Sequence, residues 1–137
     1  MEEYNFIAAD LFLRCVAGLL FFFQGYDKLF RLGLKEVVKT FHYDAESHHV
    51  PDFFVWMIAI YSSFVEFFCG LLLILGLFKT WALVLLGLDI ILVVFAFSFM
   101  KPMWDMKHVF PRFILLIALL VIPAQWGKFS LDQLIFK

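Results

Sequence analysis

Charged residues are scarce in this sequence: they make up 17% of its 137 residues, whereas 64% are hydrophobic. The formal net charge is −1 and the chain has no basic tail, so it lacks the basic surface that marks nucleic-acid-binding proteins. We therefore expect no nucleic-acid partner. Its two cysteines, Cys15 and Cys69, form no Cys-x-x-Cys pair, and the sequence offers no zinc motif, phosphate loop or nucleophile triad. No metal site is predicted.

Long apolar runs account for most of the chain, whose mean hydropathy is +0.94. Four of them, at about 6–26, 53–78, 81–100 and 110–126, have roughly membrane-spanning length. A helix of about 20 apolar residues crosses the hydrocarbon core of a bilayer. The sequence therefore predicts an all-α integral membrane four-helix bundle, built as a single domain over residues 1–137. The lipid bilayer is its first expected partner.

The connection after the first span contains an amphipathic pattern. Its apolar side chains recur at i, i+3, i+4 and i+7, as Leu34, Val37, Val38 and Phe41. This spacing predicts a short interfacial helix lying in the membrane surface. The polar segment that follows contains His42, His48 and His49. The adjacent His-His pair lacks the spacing of ligands carried by a helix, so a solvated loop is favoured over a metal site.

Lys and Arg are unevenly distributed between the two sides of the predicted bundle. The two longer connections contain Lys28, Arg31, Lys35, Lys39, Lys101, Lys107 and Arg112. The opposite side contains Lys79, Lys128 and Lys137. Because cytoplasmic loops are enriched in Lys and Arg, this bias predicts that both longer connections are cytoplasmic and both termini lie outside.

Three ionisable residues, Arg14, Glu66 and Asp89, lie inside the apolar runs. Each costs about 2.5–3.5 kcal/mol in hydrocarbon unless it faces a partner or water. Counting residues from the nearer ends of the spans places all three near the bilayer midplane. We therefore predict a buried polar cluster of the three, with Ser62 and Cys69 on the Glu66 face. One cation with two carboxylates leaves a proton to be shared, so a ligand or proton site and a structural ion-pair lock both fit.

Glycines and the ends of the spans suggest further roles. Small residues let membrane helices approach closely, and the glycines expected to serve helix packing are Gly18, Gly25 and Gly70. The side chains expected at the membrane interface are Lys28, His108 and Arg112. His108 and Arg112 are four residues apart, so they are also candidates for contacting lipid headgroups or an anionic ligand.

Several of these residues recur in a family pattern. The matching segments are Arg14-x-x-x-Gly18, Phe22, Gly25-x-x-Lys28-Leu29, Glu66-x-x-x-Gly70 followed by residues 73–77, and Trp126 with Ser130-Leu131-Asp132. In this order they resemble the DoxX family of small bacterial four-helix membrane proteins. The resemblance covers nearly the whole chain and implies a multi-pass bundle in the bacterial inner membrane. It also implies an association, for some members, with membrane redox systems such as thiosulfate:quinone oxidoreduction.

Three functions follow as hypotheses. The first is an accessory subunit of a membrane redox-associated assembly, with a protein partner or a second copy of the chain. The second is an oxidoreductase that passes electrons from a small reduced compound to quinone, for which a partner subunit would supply cofactors. The third is a small-solute or proton pathway through the buried cluster. The chain offers no recognisable cofactor ligands, so quinone enters only as a candidate and no catalytic residue is assigned.

Overall fold

The fold is entirely helical in the part of the chain that a computed structural model describes, residues 2–46, 50–100, 107 and 109–135. The α-helices are α1 (Glu2–Tyr26), α2 (Leu34–Glu46), α3 (Asp52–Leu75), α4 (Lys79–Met100), α5 (Val109–Val121) and α6 (Leu131–Ile135). A π-helical segment, Asp27–Leu32, extends α1, and a 3₁₀ turn, Ala124–Trp126, follows α5. The predicted all-α class is confirmed.

Three of these helices are long and apolar enough to cross a membrane. The candidate spans are Glu3–Leu32, Asp52–Leu75 and Lys79–Ala96. The next apolar helix, α5, has 13 residues, or about 20 Å of length, against a hydrocarbon core of about 30 Å. It ends at Val121, five residues before the predicted limit of 126, because Pro123 cannot continue it. The fourth span therefore stays a prediction.

The first span is longer than predicted. Instead of ending near residue 26, the helix continues as the π-helical segment Asp27–Leu32 and stops at Gly33, whose φ is 80°. A π-helical turn contains more residues than an α-helical turn and so changes which way its side chains face. Lys28 thus lies within the extended helix, and its position at the membrane interface stays a prediction.

Glycines bring α1 and α3 into backbone contact. A methyl group added at Gly25 would lie 2.3 Å from the backbone nitrogen of Phe67, and one at Gly70 would lie 2.4 Å from that of Phe22. At Gly18 it would lie 2.9 Å from the carbonyl oxygen of Gly70. These contacts leave no room for a Cβ atom, and they fix the register of the antiparallel α1–α3 pair.

The amphipathic helix predicted after the first span coincides with α2. Its apolar face packs against α3, where Val37 and Val38 meet Val55 and Ala59 in a buried cluster. The charged side chains of Lys35 and its neighbours on the other face are exposed. The apolar face thus covers α3, and the location of α2 in the membrane surface stays a prediction.

A tight turn joins α3 to α4, and the C-terminal segment folds over it. Gly76 ends α3 in the left-handed region with a φ of 69°. The Asp132 carboxylate accepts hydrogen bonds from the backbone N–H groups of Phe78, at 2.9 Å, and Lys79, at 3.2 Å. The backbone N–H of Asp132 in turn donates to the carbonyl of Gly76, at 3.2 Å. Because an acidic side chain is favourable at a helix N-terminus, these bonds fasten the end of the chain to the start of α4.

Candidate functional site

An ion pair between the α1 extension and α3 lies inside the bundle. The Lys28 ammonium nitrogen is 2.7 Å from Oε2 of Glu66, and these side chains are 15% and 3% exposed. The same nitrogen donates a hydrogen bond to the Ser62 hydroxyl oxygen, at 3.1 Å. Ser62 and Glu66 are four residues apart and therefore share one face of α3. Lys28 thus forms an ion pair with one polar side chain on that face and a hydrogen bond with another.

Asp89 of α4 joins the pair through Ser62. The Ser62 side chain hydrogen-bonds the Asp89 carboxylate, so the hydroxyl links the lysine to a second acid. Asp89 is 1% exposed, and its Oδ1 atom has no hydrogen-bond partner in the described part of the chain. One acceptor oxygen therefore remains available inside the bundle.

Arg112 of α5 supplies a second positive charge. Its guanidinium attracts Glu66 and Asp89 more weakly than Lys28 does, although it was predicted only as an interfacial residue. We call Lys28, Ser62, Glu66, Asp89 and Arg112 the Lys28 network. It contains two cations and two carboxylates, of which Lys28 and Glu66 form an ion pair, and it joins four helical elements: the α1 extension, α3, α4 and α5.

Arg14 does not join this network, so the predicted cluster of Arg14 with Glu66 and Asp89 is wrong. Its Nη2 atom donates to the backbone carbonyl of Phe129, at 2.7 Å, and its guanidinium packs against Gly76. Gly76 follows Glu66 by ten residues, about 15 Å of helix. The glycine contacts between α1 and α3 set a register that places Lys28 opposite Glu66 and Arg14 opposite the α3–α4 turn.

The remaining predicted residues have various locations. Cys69 is buried in the apolar core with Ala17 and Phe21, while Cys15 is partly exposed, and both thiols are free. His108 lies outside the described residues. Among the residues that are described, no group of three or more His, Cys, Asp or Glu side chains is placed to hold a metal.

An apolar cavity is lined by residues of α2, α3 and α4 and by Val50. Its volume is about 320 Å³, and its lining consists of Phe41, Val50, Phe54, Val55, Ile58, Phe95 and Ala96. Ile58 is one helical turn from Ser62, and Ala96 is two turns from Asp89, so cavity and network occupy the same stripes of α3 and α4. A volume of this size is at the lower end of small-molecule sites.

A second group of buried charges, which the sequence reasoning missed, lies at the other end of the bundle. Asp10 and Arg14 are both 1% exposed, and the Lys79 ammonium pairs with the Asp10 carboxylate. The spacing of Asp10 and Arg14, four residues apart within an apolar helix, was the available signal. Lys79 gave no comparable signal, because a lysine in a turn between two spans is normally exposed.

Comparison with known proteins gives one family. The sequence model of the DoxX family matches residues 9–100, about two thirds of the chain. This match includes α1 from residue 9 onward, α2, α3 and α4, and four members of the Lys28 network: Lys28, Ser62, Glu66 and Asp89. Neither the curated proteins nor the solved structures give a match.

Proposed function

The chain belongs to the DoxX family of membrane proteins, and from that premise we propose that it is an accessory subunit of a membrane redox-associated assembly. The observation that carries this proposal is the Lys28 network. Glu66 pairs with Lys28 inside the bundle, so the charges of this pair balance within the protein. This balance favours a role in ordering the helices over a role in chemistry.

The energetics of buried charge support an ordering role. Removing one member of a buried ion pair costs about 3–5 kcal/mol, although the intact pair adds little net stability. Misaligned helices would leave Glu66 or Asp89 without a cation inside the bundle. The network thus disfavours wrong arrangements of the helices, as a scaffold for a partner subunit requires.

We further propose the orientation and domain structure that the Lys/Arg distribution and the family imply. The chain forms one domain in the bacterial inner membrane, with the α2 side in the cytoplasm and both termini outside. Its outer surface, which faces lipid, offers the contact area for a redox-active protein or for a second copy of the chain.

Purification from the native membrane in mild detergent tests the accessory role. We expect a stoichiometric protein partner whose flavin, haem or iron–sulfur centre gives visible absorbance, whereas the separated chain shows none. Lys28→Met should weaken the association because it disorders the helices. Arg31→Met, which removes a cation from an exposed pair with Asp27, is the matched control and should keep the partner. A chain that elutes alone, with or without a bound small molecule, would contradict the proposal.

A proton pathway is the second candidate, and the Asp89 Oδ1 atom favours it. This oxygen is buried and lacks a hydrogen-bond partner among the residues described, so it is available to accept a proton. Ionisable residues at membrane depth often belong to proton relays. Proteoliposomes containing a pH-sensitive dye would show proton flux in the wild type and its loss in Asp89→Asn. Equal flux in empty liposomes would remove this candidate.

A quinone-linked oxidoreductase is the third candidate, and the apolar cavity favours it. The cavity has an entirely apolar lining contributed in part by α3 and α4, a setting that suits the ring of a quinone. Mass spectrometry of the purified protein decides between the candidates. One quinone per chain without a protein partner would support the oxidoreductase and count against the accessory subunit.

A further inference from the structure

The buried guanidinium of Arg14 is incompletely paired. Arg14 is 1% exposed, and only its Nη2 atom has an acceptor, the Phe129 carbonyl, within the described part of the chain. Its Nε and Nη1 atoms are buried without one. Leaving a buried donor unsatisfied costs about 1–3 kcal/mol, and more when the group is charged. A group that accepts these hydrogen bonds would therefore bind favourably.

The neighbouring carboxylates are engaged elsewhere. Asp10, one turn before Arg14 on α1, pairs with the Lys79 ammonium. Asp132 accepts hydrogen bonds from the backbone N–H groups of Phe78 and Lys79. In the described ranges no carboxylate forms an ion pair with Arg14. A water molecule would satisfy the free donors, but it would leave the positive charge uncompensated.

The surroundings of Arg14 are shaped to hold its guanidinium near the end of the bundle. A methyl group at Gly76 would lie 1.8 Å from Nη1, and 2.7 Å from Cβ of Ser130, so a residue without a side chain is required there. Gly76 belongs to the turn between α3 and α4, where two of the candidate spans end. Phe129 and Ser130 of the C-terminal segment cover Arg14 on this side. The free donors are thus buried beneath the C-terminal segment, at the end of the bundle opposite α2.

We propose that Arg14 binds a phosphate-type oxyanion beneath the C-terminal segment. Such an anion supplies both the negative charge and the acceptor oxygens that Arg14 lacks, and guanidinium–phosphate contacts are among the strong charge-assisted hydrogen bonds. The anion is either free phosphate from the aqueous side or the headgroup phosphate of an anionic lipid. This site is separate from the Lys28 network and does not depend on the accessory-subunit proposal.

Thermal unfolding of the delipidated protein tests the site. Inorganic phosphate should raise the melting temperature of the wild type relative to sodium chloride at the same ionic strength, because a ligand that binds the folded state stabilises it. Arg14→Gln should lose this shift. Lys128→Gln removes a cation from the same end of the bundle, in an exposed pair with Glu3, and as the matched control should keep the shift.

The same measurement with a short-chain phosphatidylglycerol identifies the source of the anion. A shift with the lipid and none with phosphate indicates a headgroup site, whereas a shift with phosphate indicates a site for the free anion. No shift of the wild type with either ligand would overturn the proposal. An equal shift in Arg14→Gln would also overturn it. If Arg14→Gln does not fold, ³¹P NMR of the wild type decides, since unchanged phosphate and lipid signals on adding protein would contradict binding.

Discussion

Replacing Lys28 by methionine tests the energetic role of the Lys28 network. The substitution keeps an unbranched side chain but removes the ammonium group, which lies 2.7 Å from Glu66 Oε2 and 3.1 Å from the Ser62 hydroxyl. Glu66, 3% exposed as a side chain, then loses its ion-pair partner. Breaking a buried ion pair in this way costs about 3–5 kcal/mol. Because the Lys28 side chain is still 15% exposed, we expect Lys28→Met to lower the free energy of unfolding by about 3 kcal/mol, the lower end of this range.

A double-mutant cycle separates the ion pair from the packing of the side chains. Glu66→Met alone leaves Lys28 uncompensated and should also destabilise the protein. The double variant, with methionine at both positions, should regain most of the lost stability, since an apolar pair replaces an ionic one. Unfolding by SDS in mixed micelles, followed by circular dichroism, gives the free energies.

An exposed ion pair provides the control for this cycle. Arg31 and Asp27 are 72% and 45% exposed as side chains, so Arg31→Met should cost no more than about 1 kcal/mol. If Lys28→Met costs no more than Arg31→Met, the Lys28 network does not hold the helices together. Purely additive effects of the two methionine substitutions at 28 and 66 would likewise refute the reasoning.

Two further predictions concern the contacts that position the network. Gly25→Ala should destabilise the protein by about 1–3 kcal/mol, because its methyl group would meet the Phe67 backbone at 2.3 Å. The control is Gly87→Ala, which has open space around it and should be neutral or stabilising. Similar losses of stability at both glycines would contradict this prediction. Ser62→Ala should lower the free energy of unfolding by about 1–3 kcal/mol in the same SDS assay, because it removes the link between Lys28 and Asp89. Unchanged stability would show that the hydroxyl link is dispensable.

The helices could be predicted from the sequence because their signals are local. Apolar length located the spans that α1, α3 and α4 contain. The spacing of Val37, Val38 and Phe41 located α2. Pro123 is a local signal for the end of α5, but the predicted limit of 126 ran past it. Each of these features depends on neighbours in the chain, so no knowledge of the tertiary contacts was needed.

The partners of the buried charges could not be predicted, because they depend on the register of α1 against α3. That register is set by the backbone contacts at Gly25 and Gly70 and by the π-helical extension that contains Lys28. Counting residues from assumed helix ends gave Arg14 a depth similar to that of Glu66, and the early end assigned to the first helix removed Lys28 from consideration. Sequence alone identified Glu66, Asp89 and Ser62 as neighbours, but not their cation.

Chemical cross-linking tests most directly that Lys28, rather than Arg14, lies beside Glu66. In a background with Cys15 and Cys69 changed to serine, cysteines would be placed at 28 and 66 or at 14 and 66, and treated with a short bifunctional methanethiosulfonate reagent. We predict efficient cross-linking for 28 with 66 and none for 14 with 66, since Arg14 packs against Gly76, which lies about 15 Å from Glu66 along the chain of α3. Efficient cross-linking of 14 with 66, with none between 28 and 66, would contradict the assignment and restore the Arg14 cluster.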